Sequence, residues 1–129
     1  MNGKVARYLA VGALAASVFA SAPPALASDD DVERRGACSG ASDWELKLSP
    51  EDGRIEVEYE IDQNVNDQTW RVRIRQNGEL IFAGRRMTRA PSGSFEVEIL
   101  AANTAGTDHF RAAGADLTTD ETCVGRASF

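Results

Sequence analysis

Residues 54–62 read Arg54-Ile55-Glu56-Val57-Glu58-Tyr59-Glu60-Ile61-Asp62. Apolar side chains hold every odd position and charged ones every even position. Successive side chains of an extended chain point to opposite faces, so this stretch predicts a strand with one buried face and one wet face. The rule recurs on both sides of it. Trp70-Arg71-Val72-Arg73-Ile74-Arg75 alternates with arginine outside, and Phe95-Glu96-Val97-Glu98-Ile99 with glutamate outside. Trp44, Leu46 and Leu48 alternate with Glu45 and Lys47. Phe110, Ala112 and Gly114 alternate with His109, Arg111 and Ala113, and Cys123, Gly125, Ala127 and Phe129 share one parity. No segment shows a helical period.

Turn chemistry separates these runs. Ser49-Pro50-Glu51-Asp52-Gly53 and Ala90-Pro91-Ser92-Gly93 are turn clusters. Asn77-Gly78 is a hairpin signal. A three-residue loop, Gln76 to Gly78, would set Arg75 opposite Glu79, Ile74 opposite Leu80 and Val72 opposite Phe82. That register is preferred over a two-residue loop because it turns Phe82 inward and pairs the charges. The expectation is seven strands, roughly 42–48, 54–62, 69–76, 79–86, 94–101, 107–114 and 121–128. The fold class is therefore all-β: a seven-stranded antiparallel immunoglobulin-like β-sandwich, one domain over residues 38–129. Its expected core is Ile55, Val57, Tyr59, Ile61, Trp70, Val72, Ile74, Phe95, Val97, Ile99 and Phe110, with Trp70 the best candidate among the aromatic residues for a partial place at a rim.

Ahead of that domain stand two segments. Residues 1–27 have a positive start (Lys4, Arg7), an apolar run from Tyr8 to Ala22, and Ala25-Leu26-Ala27 as a small-residue cleavage site. This is the pattern of a secretory signal peptide. The apolar run falls short of the roughly 20 residues of a spanning helix, so no membrane insertion is expected after cleavage. Residues 28–37, SDDDVERRGA, read as a disordered charged leader. Export makes sense of the two cysteines: an even pair in a small exported domain reads as a disulfide, Cys38 to Cys123.

The stretch Asn103-Thr104-Ala105-Gly106-Thr107-Asp108-His109-Phe110-Arg111-Ala112 resembles the penultimate-strand pattern of bacterial Ig-like domains. Cys38 to Pro50 and Arg71 to Gly93 are similar to segments of a group of small secreted actinobacterial proteins. Twelve arginines against two lysines, with abundant alanine, fit such a high-GC source. The resemblance implies fold and export only. Two departures from antibody-type domains stand out: no cysteine pair on the second and sixth strands, and no tyrosine corner.

Charge narrows the function classes. The chain carries a net −6, and −8 over residues 28–129, because Lys4 and Arg7 are the only charges before residue 28. An acidic protein is a poor nucleic-acid binder. One histidine and two cysteines leave little for a zinc or copper site, and no cofactor is expected. His109 falls on the wet face of its strand, where the plain reading is a solvated side chain, and neighbouring Asp108 adds little to it. Asp62-Gln63-Asn64-Val65-Asn66-Asp67 begins like an oxygen-ligand loop. It lacks the glycine and the twelfth-position glutamate of a calcium-binding EF-hand, and is equally an ordinary interstrand loop. The aromatic residues all fall at inward parity.

These absences lead to a non-enzymatic interaction module. The alternative is a secreted protease inhibitor or small-ligand carrier, in which Arg85-Arg86-Met87-Thr88-Arg89-Ala90-Pro91 would present a basic loop. In an Ig order the second strand lies beside the fifth and the third beside the sixth. That would gather Glu56, Glu58, Glu60, Glu96 and Glu98 on one sheet. Arg71, Arg73, Arg75 and Arg111, with His109 and Arg126, would gather on the other. The expected partner of the arginine face is an anionic wall polymer or an acidic extracellular protein, with weak self-association of opposite faces also in view. A rival topology pairs the second and third strands directly and interleaves glutamates with arginines. The connection 63–68 permits either.

Overall fold

The computed structural model describes residues 30–129, so the expected signal peptide, residues 1–27, lies outside the described part. Eight strands follow one another: β1 (Val32–Ala37), β2 (Asp43–Glu51), β3 (Arg54–Asp62), β4 (Thr69–Gln76), β5 (Glu79–Met87), β6 (Ser94–Ala102), β7 (His109–Asp116) and β8 (Thr122–Ser128). They form two antiparallel four-stranded sheets, ordered β1-β2-β3-β6 and β5-β4-β7-β8. The described residues contain no helix. The expected pairings, β3 with β6 and β4 with β7, are both present, and β3 does not pair with β4. The glutamates of β3 and β6 and the arginines of β4 and β7 are therefore held on separate sheets.

Between the sheets lies the core that the alternation calls for. Leu46, Leu48, Ile55, Val57, Tyr59, Ile61, Trp70, Val72, Ile74, Val97 and Phe110 are buried, and Phe95 nearly so. Ile99 is only partly buried, because β6 is a sheet edge. Trp70 is fully buried, and its indole Nε1 finds a partly buried partner. It donates to Gln63 Oε1 (3.0 Å), and Gln63 in turn donates to Asp116 Oδ2 (2.7 Å). The Tyr59 hydroxyl crosses the sandwich to donate to the Cys123 carbonyl at 2.9 Å.

One strand more than expected comes from the charged leader. Residues 32–37 form β1, antiparallel to β2. Its few apolar groups hide the alternation, and its charges find partners on or beside β2. Arg35 bridges Glu33 (2.5 Å) and Glu45 (2.9 Å), and Lys47 reaches Asp31 (3.6 Å) and Glu58 (3.7 Å). Gly36 lies against the Trp44 ring, where a Cβ would come within 2.7 Å, and Gly125 does the same from β8. The partly buried indole thus packs between β1 and β8 on two bare backbones. Strand β2 also runs further than expected, to Glu51, with Pro50 inside it. Proline is tolerated there because β1 begins opposite Leu48, which leaves Pro50 with no β1 neighbour to donate to.

The β4–β5 hairpin corrects a second expectation. Its loop has two residues, Asn77 (φ 50°) and Gly78 (φ 83°), with Gln76 opposite Glu79. Two successive positive φ angles are what the twist-matched two-residue turn requires. This sets Leu80 opposite Arg75 on the wet side, and Leu80 is exposed. A bulge then absorbs Ile81, so Phe82 turns back opposite Ile74. The two-residue turn and the inward Phe82 are both accommodated, at the expense of one unpaired residue.

The disulfide Cys38–Cys123 closes an 85-residue separation with the Cα atoms 4.4 Å apart. A clasp surrounds it. Ser39 N–H donates to Thr122 O (2.8 Å), and Thr122 N–H donates to Ser39 Oγ (2.9 Å). Glu121 accepts from the amides of Gly40 (3.1 Å) and Ser42 (2.8 Å) and from the Ser42 hydroxyl (2.9 Å).

Candidate binding face

The outer surface of the β5-β4-β7-β8 sheet is built by register. Reading across the four strands, one row is Arg85, Arg71, Ala115, Thr122. The next is Ala83, Arg73, Ala113, Val124, and the third is Leu80, Arg75, Arg111, Arg126. Arg71, Arg73, Arg75 and Arg111 thus come together as expected, and Arg126 and His109 lie on the same side. Arg85 is an addition. The sequence places it at the end of the strand expected over 79–86 and at the start of the basic loop Arg85 to Pro91, and it sits in β5 directly opposite Arg71. It alternates with Phe82 and Gly84, so an inward Phe82 turns it outward.

Small side chains give this face its relief. Ala113 and Ala115 form a floor, flanked by Arg71, Arg73 and Arg75 on β4 and by Thr122 and Val124 on β8. Together with Arg111 they bound an open groove of about 520 Å³. Along one strand every second residue is about 6.8 Å from the last, and strands stand about 4.8 Å apart. The β4 arginines therefore form a row of evenly spaced cations along one wall. No acidic residue falls in the three rows. The ion pairs found among the described residues all lie on the other sheet or at its margin. Arg75 makes one local bond, donating to Gly78 O at 3.2 Å. Such an array repels itself, and folding gains nothing from it.

The remaining candidates fall elsewhere. His109 is exposed and its Nδ1 lies 2.8 Å from Ser128 Oγ. The 62–67 loop is a turn. Asn64 N–H donates to Asp62 Oδ1 (3.2 Å), and Asn64 and Asp67 take positive φ angles. Buried Thr88 pins the loop by donating to Val65 O (2.6 Å) and accepting from Gln68 N–H (3.0 Å). Arg85, Arg86 and Met87 lie within β5, and Arg89 to Gly93 close a tight turn in which Gly93 N–H donates to Arg89 O (2.8 Å). Arg86 stacks on Phe82, its guanidinium carbon 5.2 Å from the ring centroid.

Asp108, dismissed in the sequence, anchors the end of the domain. It is fully buried. Its carboxylate accepts from the Thr104 hydroxyl, Thr104 N–H (2.9 Å), Gln76 Nε2 (3.0 Å) and Asn77 Nδ2 (2.9 Å). The Thr104 hydroxyl bond outweighs burial, and with the other donors it holds the carboxyl below the usual aspartate range. Its inward parity with Phe110 and Ala112 is the signal that marks it. The role is structural, tying the β4–β5 turn to the β6–β7 connection. No family model, no curated protein and no solved structure matches the chain.

Proposed function

We propose that the protein is a secreted, non-enzymatic immunoglobulin-like module of the kind seen in small actinobacterial exported proteins, whose arginine face docks an anionic polymer of the cell wall. The single observation that carries the reading is the set of six arginines, Arg71, Arg73, Arg75, Arg85, Arg111 and Arg126, gathered around a small-residue floor without a counter-charge. The strand order supports the Ig-type assignment, with β2-β3-β6 packed on β5-β4-β7-β8. The disulfide is compatible with an extracellular location. Charged groups on an open sheet face suit electrostatic docking better than catalysis, which needs a cleft to tune its proton carriers.

A linear polyanion fits the face because its charges can follow the β4 row without a preformed pocket. The test is binding to isolated anionic wall material by the native protein and by the double reversal Arg71→Glu with Arg73→Glu. The reversal replaces attraction by repulsion at two exposed contacts, so roughly a tenfold loss is expected. Binding of the native protein should also weaken as salt rises. Binding that ignores both the reversal and salt overturns the reading.

A further inference from the structure

The outer face of the other sheet carries the opposite charge. Across β1-β2-β3-β6 its rows are Arg35, Glu45, Glu60, Glu96 and Glu33, Lys47, Glu58, Glu98. The two cations of these rows stand at the β1–β2 side, already engaged with Glu33, Glu45, Asp31 and Glu58, and Arg54 lies beyond them at the start of β3. The β3–β6 half keeps Glu56, Glu60, Glu96 and Glu98 without an ion pair among the described residues. Carboxylate oxygens of Glu58, Glu96 and Glu98 lie within 4.8 Å of one another. Partial burial and then these neighbours push the Glu96 carboxyl above the ordinary glutamate range. A folded monomer gains nothing from facing carboxylates. Their repulsion is relieved by a partner that brings cations at matching spacing.

Such a partner is present on the same chain, facing the other way. Both surfaces are outer sheet faces with the same lattice, about 6.8 Å along a strand and about 4.8 Å between strands. One presents glutamates on two adjacent strands. The other presents Arg71, Arg73 and Arg75 on β4 and Arg111 on β7, beside a floor of Ala113 and Ala115 that admits incoming side chains. We infer that copies of this chain associate head to tail, the glutamate face of β3 and β6 of one copy seated on the arginine face of β4 and β7 of the next. The inference rests on the arginine face being a docking surface, as proposed above, and replaces the wall polymer there by a second copy. The two faces lie on opposite sides of the sandwich, so the contact is heterologous and does not close on itself. Each added copy leaves one acidic and one basic face free, and wall polymer competes with the next copy for the basic one.

Sedimentation velocity tests this, run from micromolar to millimolar protein in about 0.1 M and about 1 M salt, where charges are screened beyond about 10 Å and about 3 Å. At the lower salt the mean sedimentation coefficient of the native protein should rise with concentration, and at the higher salt it should stay at the monomer value. Two variants complete the design: Glu96→Arg with Glu98→Arg on the acidic face, and Arg71→Glu with Arg73→Glu on the basic face. Each alone should remain monomeric at the lower salt. Their equimolar mixture should associate again, because the first keeps the native arginine face and the second the native glutamate face, so the contact forms between them. A native protein monomeric at every concentration overturns the inference, as does a glutamate-face variant that still associates, or a mixture that stays monomeric. The glutamate-face variant keeps the arginine face intact. Loss of self-association with wall binding retained shows that the glutamate face serves the contact between copies and not the polymer, and absence of wall binding by the native protein is a failure of the earlier reading alone.

Discussion

Glu58 on β3 and Glu98 on β6 are direct cross-strand partners, flanked by a second acidic pair, Glu60 and Glu96. Like charges in this position oppose folding by a few tenths to about 1 kcal/mol per pair. Glu98→Lys turns the first pair into an attractive one, and the variant should be more stable than the native protein by about 0.2–1 kcal/mol. Chemical denaturation checks it. A stability loss would mean that the acidic face is already neutralised.

The dependence of stability on pH should show two limbs. Burial, then neighbouring carboxylates, raise Glu56 (beside Glu98), Glu60 (beside Glu45 and Asp62, with Arg35 opposing) and Glu96. A carboxyl raised in the folded state binds more protons there than in the unfolded chain, so stability falls as pH rises through its titration, above about 4.3. Asp108 and Asp116 are lowered. For Asp116 burial acts upward, but the Thr118 amide, Gln63 and Thr119 outweigh it. Their contribution is present above the unfolded value of about 3.9 and is lost as pH falls through the folded one. Thermal melting across pH should therefore peak on the mildly acidic side of neutrality. A stability that rises steadily from pH 5 to 8 would contradict this assignment of the acidic face.

Asp108→Asn leaves an amide facing the donors of Thr104, Gln76 and Asn77. The variant should lose roughly 2–3 kcal/mol, since buried donors go unsatisfied, and should also flatten the acid limb of the pH profile. A loss below about 0.5 kcal/mol would mean that the network is solvated.

How much of this was legible follows from where the determinants lie. The β3, β4 and β6 alternations are local and nearly unbroken, so those strands and most of the core could be read directly, along with the glutamate and arginine faces. Strand β1 could not. It has few apolar residues to bury and is held by its ladder to β2, by the ion pair of Arg35 with Glu45, and by that of Asp31, just ahead of it, with Lys47. The hairpin register depended on whether Ile81 bulges, a contest between turn chemistry and Phe82 burial that neighbouring residues do not decide. That bulge is also what sets Arg85 opposite Arg71. Besides nearby Thr104, Asp108 draws partners from Gln76 and Asn77, more than thirty residues away.

Val97→Asp tests the inward parity of the edge strand β6. Val97 is 1% exposed and sits opposite Tyr59. An unpaired carboxylate there costs several kcal/mol, comparable with the whole stability of a small domain, about 5–15 kcal/mol. No cooperative melting transition should remain. A folded, soluble variant would show that Val97 does not face the core.

Cys123→Ala should cost about 2–5 kcal/mol, because the 85-residue loop is then unrestrained in the unfolded chain. Mass spectrometry of the native protein under non-reducing conditions should show no free thiol. Two free thiols would exclude the bond between β8 and the β1–β2 turn.

The arginine face is tested most directly by amide chemical-shift mapping of the folded protein titrated with polyphosphate, a linear polyanion. Shifts should concentrate on Arg71, Arg73, Arg75, Arg111, Ala113, Ala115 and Val124, and should disappear in about 1 M salt. Shifts centred on another surface, or none at low salt, would contradict the function proposed for this protein.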